Sequence, residues 1–114
     1  MKRLFVFSLA CCSMPAFAQS DDLNYFSDGN RLYSQCDAKD GALLGLCAGY
    51  ISGVVDATPE VFYDIPEGAT VNQIKDLVVK YLRDHPESRD QPAARLVRSA
   101  LVEAWPRSRQ PAKK

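Results

Sequence analysis

The sequence predicts an all-α protein: a single compact domain of about four short helices, held by one disulfide. Two observations support this prediction. Apolar residues recur at helical spacing in four separate stretches, and residues that typically start or stop helices lie at the ends of these stretches. No stretch alternates apolar and polar residues strongly enough to compete as a strand. Each amphipathic helix has to bury its apolar side against the others, so the helices should form one bundle.

The first predicted helix covers about residues 27–36. Ser27 or Asp28 is placed to cap its N-terminus, and Leu32 and Tyr33 are expected buried positions. Gly29 weakens this prediction, because glycine disfavours the helical conformation.

The second predicted helix carries the most informative pattern in the chain, a glycine at every fourth residue: Gly41, Gly45, Gly49 and Gly53. We call this pattern the glycine ladder. Glycine inside a helix costs roughly 1 kcal/mol relative to alanine. Four glycines on one ridge therefore predict that another backbone packs closely along it, either within the domain or at a dimer seam. A ridge of residues four apart also predicts a steep helix crossing, at about −50°.

The ends of the same helix are marked by Asp40, which can cap its N-terminus, and by Thr58-Pro59, which stops it. Its apolar run, residues 42–55, is shorter than the ~20 residues needed to cross a bilayer, and charged residues flank both ends. We therefore expect a buried helix of a soluble domain and not a membrane span.

The third predicted helix opens on Thr70 and Gln73, which have the spacing of a capping box. It continues as an amphipathic stripe and ends before His85-Pro86. The connection that precedes it, residues 57–69, is longer than most links between helices, which makes it a candidate functional loop.

The fourth predicted helix begins near Asp90, with Pro92 in its first turn, and ends at Trp105 before Pro106. The remaining residues, 107–114, are polar, basic and contain proline. This composition predicts a disordered tail.

The first eighteen residues have the pattern of a secretory signal peptide. A basic start precedes an apolar stretch, and residues 16–18 (Ala-Phe-Ala) form a small-x-small cleavage site that leaves Gln19 first in the mature chain. A lipoprotein signal ending at Cys11 fits less well, because the usual aliphatic residue three positions before the cysteine is missing. We therefore predict a secreted protein.

Two of the four cysteines, Cys36 and Cys47, remain after signal removal. An even pair in an oxidising compartment predicts a disulfide. Closing a loop of about a dozen residues would stabilise the fold by roughly 3 kcal/mol. Zinc is not expected, because His85 is the single histidine and too few soft ligands remain. We predict no metal and no cofactor.

Charge argues against a nucleic-acid partner and is unevenly distributed. The full chain has 14 basic and 14 acidic residues, and loss of Lys2 and Arg3 leaves 12 basic residues and a net charge of −2. A nucleic-acid-binding chain would be basic. Residues 40–74 contain five acidic residues and no Lys or Arg, whereas residues 75–114 contain ten basic and five acidic ones. One part of the domain is acidic and the other is basic.

Candidate catalytic groups are few. His85 is expected to be an exposed or helix-capping histidine. Four carboxylates cluster in the chain, namely Asp56, Glu60, Asp64 and Glu67. Acid–base catalysis requires a cleft that separates two pKa values, and nothing in the sequence indicates one. We predict no catalytic residue and no enzymatic activity.

The loop after the second helix combines aromatic and acidic residues, namely Glu60, Phe62, Tyr63 and Asp64. An apolar centre with a charged rim is typical of binding surfaces. We predict that these four residues contact a partner. Of the two aromatic residues, we expect Phe62 to fold back on the core and Tyr63 to be exposed.

Five short segments also occur in an informative order. They are Ser27-Asp28-Gly29-Asn30 before the helix that ends in Cys36, residues 47–56 (Cys-Ala-Gly-Tyr-Ile-Ser-Gly-Val-Val-Asp), residues 65–70 (Ile-Pro-Glu-Gly-Ala-Thr) with Gln73, Tyr81-Leu82 with His85-Pro86-Glu87, and Ala100-Leu101 with Trp105-Pro106. In this order, over nearly the whole mature chain, they resemble the Rap/Tai family of periplasmic immunity proteins. The resemblance assigns residues 19–106 to one immunity domain.

The resemblance implies an all-α periplasmic domain, often a homodimer, that inhibits a peptidoglycan amidase effector of the type VI secretion system by occluding its active site. Members usually carry two further cysteines where this chain has Ile65 and Arg107. This departure predicts that a second disulfide is missing and that the C-terminus is untethered. The alternative function is a small periplasmic helical chaperone or stress protein with a single disulfide.

Overall fold

Four α-helices account for most of residues 26–108, the part of the chain that the computed structural model describes. They are α1 (Gly29–Cys36), α2 (Gly41–Ala57), α3 (Val71–Asp84) and α4 (Ala93–Ala104), and a short 3-10 helix, Pro86–Ser88, precedes α4. The predicted all-α class with four helices is confirmed, and the 3-10 helix was not predicted. The predicted signal peptide and residues 109–114 of the predicted tail lie outside the described residues.

Side-chain caps fix where the helices begin. The carboxylates of Asp28 and Asp40 accept hydrogen bonds from backbone N–H groups in the first turns of α1 and α2, at 2.8 to 3.1 Å. Both bonds of the predicted capping box are present: Thr70 N–H donates to the Gln73 side chain at 2.8 Å, and Gln73 N–H donates to the Thr70 hydroxyl at 3.2 Å. Pro92 is the N-cap of α4 and does not lie inside its first turn.

The core takes side chains from all four helices and one from the loop between α2 and α3. Its buried members are Leu32, Cys36, Cys47, Ile51, Tyr63, Ile74, Val78, Leu82, Ala93, Leu96, Val97, Ala100 and Leu101. The predicted disulfide is confirmed: Cys36 and Cys47 are bonded, with Cα atoms 5.0 Å apart, and link the end of α1 to the middle of α2. Within the described residues, no helix has both the length and the hydrophobicity needed to cross a membrane.

The glycine ladder faces away from the rest of the domain. All four of its glycines are exposed, and a Cβ added at any of them would meet no neighbouring atom within 4 Å. Close packing inside the domain was therefore a wrong prediction, and the predicted crossing angle loses its basis. The side of α2 that the fold buries carries Cys47 and Ile51 instead. The other half of the prediction, a dimer seam, stays a prediction.

The glycine that this fold requires is Gly29. Its N–H donates to the Gln91 carbonyl at 3.0 Å, and Asn30 N–H donates to the Arg89 carbonyl at 2.9 Å, which joins the start of α1 to the segment before α4. A Cβ on Gly29 would collide with Leu96 Cδ1 and would lie 2.9 Å from both the Cα and the carbonyl oxygen of Arg89. Only a residue without a side chain lets the two segments approach this closely.

Candidate partner-binding surface

The loop between α2 and α3 is held by the residues that follow α4. The Asp64 N–H donates to the Trp105 carbonyl at 3.1 Å, and Tyr63 and Pro106 form an isolated antiparallel bridge. Further along, Arg107 Nη1 donates to the Glu60 carbonyl at 2.7 Å. We call residues 105–108 the C-terminal clasp.

The clasp corrects the prediction of an untethered C-terminus. Arg107 stands where family members usually carry a cysteine, and its guanidinium bonds to the loop. Ser108 N–H also donates to the Asp64 carboxylate, at 3.3 Å. Arg107 and Ser108, the first two residues of the predicted disordered tail, are therefore hydrogen-bonded to the loop, while residues 109–114 lie outside the described residues.

The clasp also reverses the expected positions of the two aromatic side chains. Tyr63 is only 3% exposed and belongs to the core, whereas Phe62 is 54% exposed. Both expectations were wrong. Tyr63 pairs with Pro106 and belongs to the core, whereas Phe62 lies in the bend just before this pair and remains exposed.

The exposed side of the loop has an apolar centre and carboxylates around it. Val61 is 62% exposed beside Phe62, and Glu60 and Asp64 are exposed on either side of this pair. Of the four predicted contact residues, Tyr63 is therefore an anchor of the loop and is not available for direct contact. The other three, Glu60, Phe62 and Asp64, are exposed, and we call them the loop surface. Glu60 and Asp64 line one concavity, and Phe62 lines another.

A concavity of about 410 Å³ lies beneath the loop surface. It is lined by Val55, Asp56, Thr58, Glu60, Tyr63, Asp64 and Ile65. The structure thus brings together three of the five carboxylates of residues 40–74. Of the other two, Asp40 caps α2 and Glu67 lines a different concavity near Trp105. The resulting negative potential suits a partner surface with basic groups.

His85 caps α3 and takes no part in the loop surface. Its Nδ1 lies 3.2 Å from a carboxylate oxygen of Glu87, and its Nε2 lies 3.9 Å from one of Glu103. A hydrogen bond within Glu87 and a second one from His85 hold the pKa of the Glu87 carboxyl below its usual range. Among the described residues, no three His, Cys, Asp or Glu side chains are grouped so that they could hold a metal ion.

A second surface, which the sequence analysis missed, lies between α2 and α4 beside the loop. It consists of two concavities, of about 330 and 530 Å³, which adjoin at Arg98. The smaller is lined by Gly49, Tyr50, Gly53, Val54, Ala57, Thr58, Ala94 and Arg98, and the larger by Phe62, Arg95, Arg98, Ser99, Val102 and Glu103. We call this surface the α2–α4 groove. Most residues of the smaller concavity come from α2, and most residues of the larger one come from α4. The sequence of either helix alone therefore does not indicate a groove.

These features define a class: a small, disulfide-closed helical domain whose most developed surface features are a braced, outward-facing loop and an adjoining groove. A family model for Rap1a immunity proteins matches residues 28–106, from the N-cap of α1 into the C-terminal clasp. The chain belongs to this family, and its resemblance to the Rap/Tai immunity proteins is confirmed. No curated protein matches the sequence significantly. Family membership makes the chain a type VI secretion immunity protein with a protein effector as its partner.

Proposed function

We propose that this protein resides in the periplasm and inhibits a peptidoglycan amidase effector of the type VI secretion system by inserting the loop surface into the effector's active-site groove. The observation that carries the proposal is the outward position of Phe62, 54% exposed, on a loop fixed at both sides. The immunity family supports a protein effector, and the resemblance to Rap/Tai proteins supports an amidase. The proposal assigns no catalytic residue to this chain.

The clasp favours this mode of binding on energetic grounds. Tyr63 is anchored in the core, and the Asp64 and Glu60 backbones are each hydrogen-bonded to residues after α4. A loop that is ordered before binding loses less conformational entropy when it enters a groove. The carboxylates around Phe62 would accelerate encounter with an effector whose groove has a basic rim.

The proposal is tested with the mature protein and the amidases encoded beside its gene. We expect a stoichiometric complex and loss of peptidoglycan hydrolysis on mixing. If none of these amidases binds, the assignment of an amidase partner is wrong.

Truncation of the apolar centre is the direct test of the loop surface. We expect Phe62→Ala to weaken the complex about 10- to 100-fold, because aromatic anchors at the centre of an interface contribute about 2 kcal/mol or more. Isothermal titration calorimetry and residual amidase activity measure this loss. Val71→Ala is the matched control: Val71 is also about half exposed, at 48%, but lies at the start of α3. Equal affinity of the Phe62→Ala variant and the wild type would exclude the loop surface as the contact.

We further propose that the glycine ladder is the seam of a homodimer. Between Asp40 and Asp56, α2 contains no charged residue, and its outer side exposes Leu46 at 57% and Leu43 at 39%. The exposed glycines Gly41, Gly45, Gly49 and Gly53 leave space for a second helix to approach the backbone. An uncharged, partly apolar helix side of this kind is suited to burial against a second copy.

A bulky side chain at the seam distinguishes assembly from folding. We expect Gly45→Leu to keep the helical circular dichroism spectrum and the melting behaviour of a folded monomer, because nothing in the domain lies near Gly45. Light scattering after gel filtration should then show a dimer for the wild type and a monomer for the variant. A wild type that is monomeric at about 100 μM, above the Kd of an ordinary stable dimer, would contradict the proposed seam.

A further inference from the structure

We propose that the α2–α4 groove binds an acidic segment of a protein, with an apolar side chain seated between Phe62 and Val102 and carboxylates bound by Arg95 and Arg98. This site shares Phe62 with the loop surface but extends over α4, and it does not depend on the effector being an amidase.

The shape of the groove fits a peptide segment. Its larger concavity, about 530 Å³, lies within the size range of ligand sites and holds several side chains. It continues past Arg98 onto α2, where Gly49 and Gly53 have no Cβ and nothing lies within 4 Å of the place where one would be. A bound segment can therefore approach the backbone of α2 closely at this end. Gly49 and Gly53 also belong to the proposed dimer seam, so a dimer through that seam and a segment bound at this end exclude each other.

The apolar end of the groove is formed by two elements. Phe62 projects from the loop and Val102 from α4, and they are 54% and 40% exposed on the same concavity. An aromatic and an aliphatic side chain that share a concave wall provide the kind of pocket that an interface anchor fills. This end accordingly specifies one apolar side chain in the bound segment.

The charge of the groove specifies the rest of the segment. Arg95 and Arg98 are three residues apart on α4, so they lie on the same side of the helix. Neither forms an ion pair or a hydrogen bond within the described residues, whereas Lys80 pairs with Asp84 at 2.6 Å and Arg107 bonds to the loop. Glu103 is the one acidic residue that lines the groove.

Arg98 is held at the junction of the two concavities. Burial raises the pKa of the Tyr50 hydroxyl, while a hydrogen bond with the Ala94 backbone and the nearby charge of Arg98 act in the opposite direction. Arg98 lines both concavities, and Tyr50 lines the smaller one. Two arginines that have no anionic partner among residues 26–108, beside an apolar pocket, are complementary to carboxylates, which guanidinium groups bind with paired hydrogen bonds.

The test uses two labelled peptides and the full mature chain. One fluorescein-labelled peptide has the sequence Asp-Glu-Leu-Phe-Glu-Asp, and in the other every acidic residue is lysine. Fluorescence anisotropy at about 50 mM and about 300 mM NaCl should show salt-sensitive binding of the acidic peptide and none of the basic one. We expect the double change Arg95→Glu and Arg98→Glu to weaken binding of the acidic peptide at least tenfold.

A matched control separates the groove from general charge effects. Arg83→Glu also reverses an exposed arginine, on α3, and should leave peptide binding unchanged. The proposal is overturned if the acidic peptide does not bind, if the Arg95→Glu, Arg98→Glu variant binds it equally well, or if a single-stranded oligonucleotide displaces it with higher affinity. It is also overturned if the double change converts a dimer to a monomer, because a second copy would then occupy the groove. No amidase enters this assay, so its failure and that of the proposed function are distinguishable.

Discussion

Replacing Gly29 with alanine is expected to destabilise the domain by about 3 kcal/mol, the upper part of the range for overpacking a core. The added methyl group meets the backbone of Arg89 at 2.9 Å and also the side chain of Leu96. A side chain can rotate away, but the Arg89 backbone is fixed by the hydrogen bonds that join it to α1. Relief of the contact therefore requires that these bonds lengthen. In a domain of this size the loss corresponds to a fall in melting temperature of roughly 12–24 °C.

The same substitution at another glycine of the chain is the control. Gly53→Ala introduces the same methyl group in an exposed helical position with nothing within 4 Å. We expect it to stabilise the monomer by about 0.5–1 kcal/mol, because alanine favours the helix. Thermal unfolding of the two variants should therefore shift in opposite directions. A Gly29→Ala variant that melts within a few degrees of the wild type would show that the start of α1 does not approach Arg89 so closely.

Loss of the disulfide should have an effect of similar size. Cys36 and Cys47 close a loop with a sequence separation of 11, and constraining a loop of this length in the unfolded chain is worth about 3 kcal/mol. Both cysteines are also buried, so replacement by serine places two hydroxyl groups in the core. We expect the double change Cys36→Ser and Cys47→Ser to lower the unfolding free energy by about 3–5 kcal/mol, within a total of about 5–15 kcal/mol.

Reduction of the wild type separates the two contributions. A reducing agent breaks the bond but adds no hydroxyl groups, so it should cost less than the double serine change. It should have no effect on that variant, which has neither cysteine of the bond. Urea unfolding with and without the reductant measures both differences, and a wild type insensitive to reductant under conditions that reduce the bond would contradict a stabilising role.

Features that depend on neighbours in the chain were predictable. The caps at Asp28, Asp40 and Thr70 act over two or three residues, and the helix-stopping prolines also act locally, so the helix ends follow from the sequence. The disulfide was predictable because only two cysteines remain after the proposed signal cleavage. The amphipathic stripe of α3 consists of Ile74, Leu77, Val78, Tyr81 and Leu82, and it contains all three buried residues of this helix, Ile74, Val78 and Leu82.

The errors concern features that depend on distant segments. α2 is apolar on nearly all sides, so spacing alone does not reveal which side is buried, and its glycines face outward. Gly29 was expected only to weaken α1. Glycine is required there because the backbone of Arg89, 60 residues away in the sequence, leaves no space for a Cβ. Tyr63 is more polar than Phe62, which favoured the opposite orientation; its partner Pro106 comes from the far end of the domain.

The α2–α4 groove was beyond sequence reasoning for a related cause. Arg95 and Arg98 have the spacing of an ordinary solvated helix side, and Phe62 was expected in the core. Their combination becomes visible only when the loop and α4 are placed side by side. The charge distribution did indicate a basic surface, since residues 75–114 contain twice as many basic as acidic residues. It did not indicate which of the basic residues form no ion pair.

The C-terminal clasp has a consequence for the order in which the protein matures. Its side-chain bonds join residues 44 and 47 positions apart, and such distant contacts form after local helices because a long loop has to close first. Helices α1 to α3 can therefore form before the C-terminal clasp has bonded to the loop. Pulse-labelled hydrogen exchange should show the Asp64 amide protected later than the amides of α2. The loop between α2 and α3 would thus reach its final conformation only after residues 105–108 have been made and have packed against it.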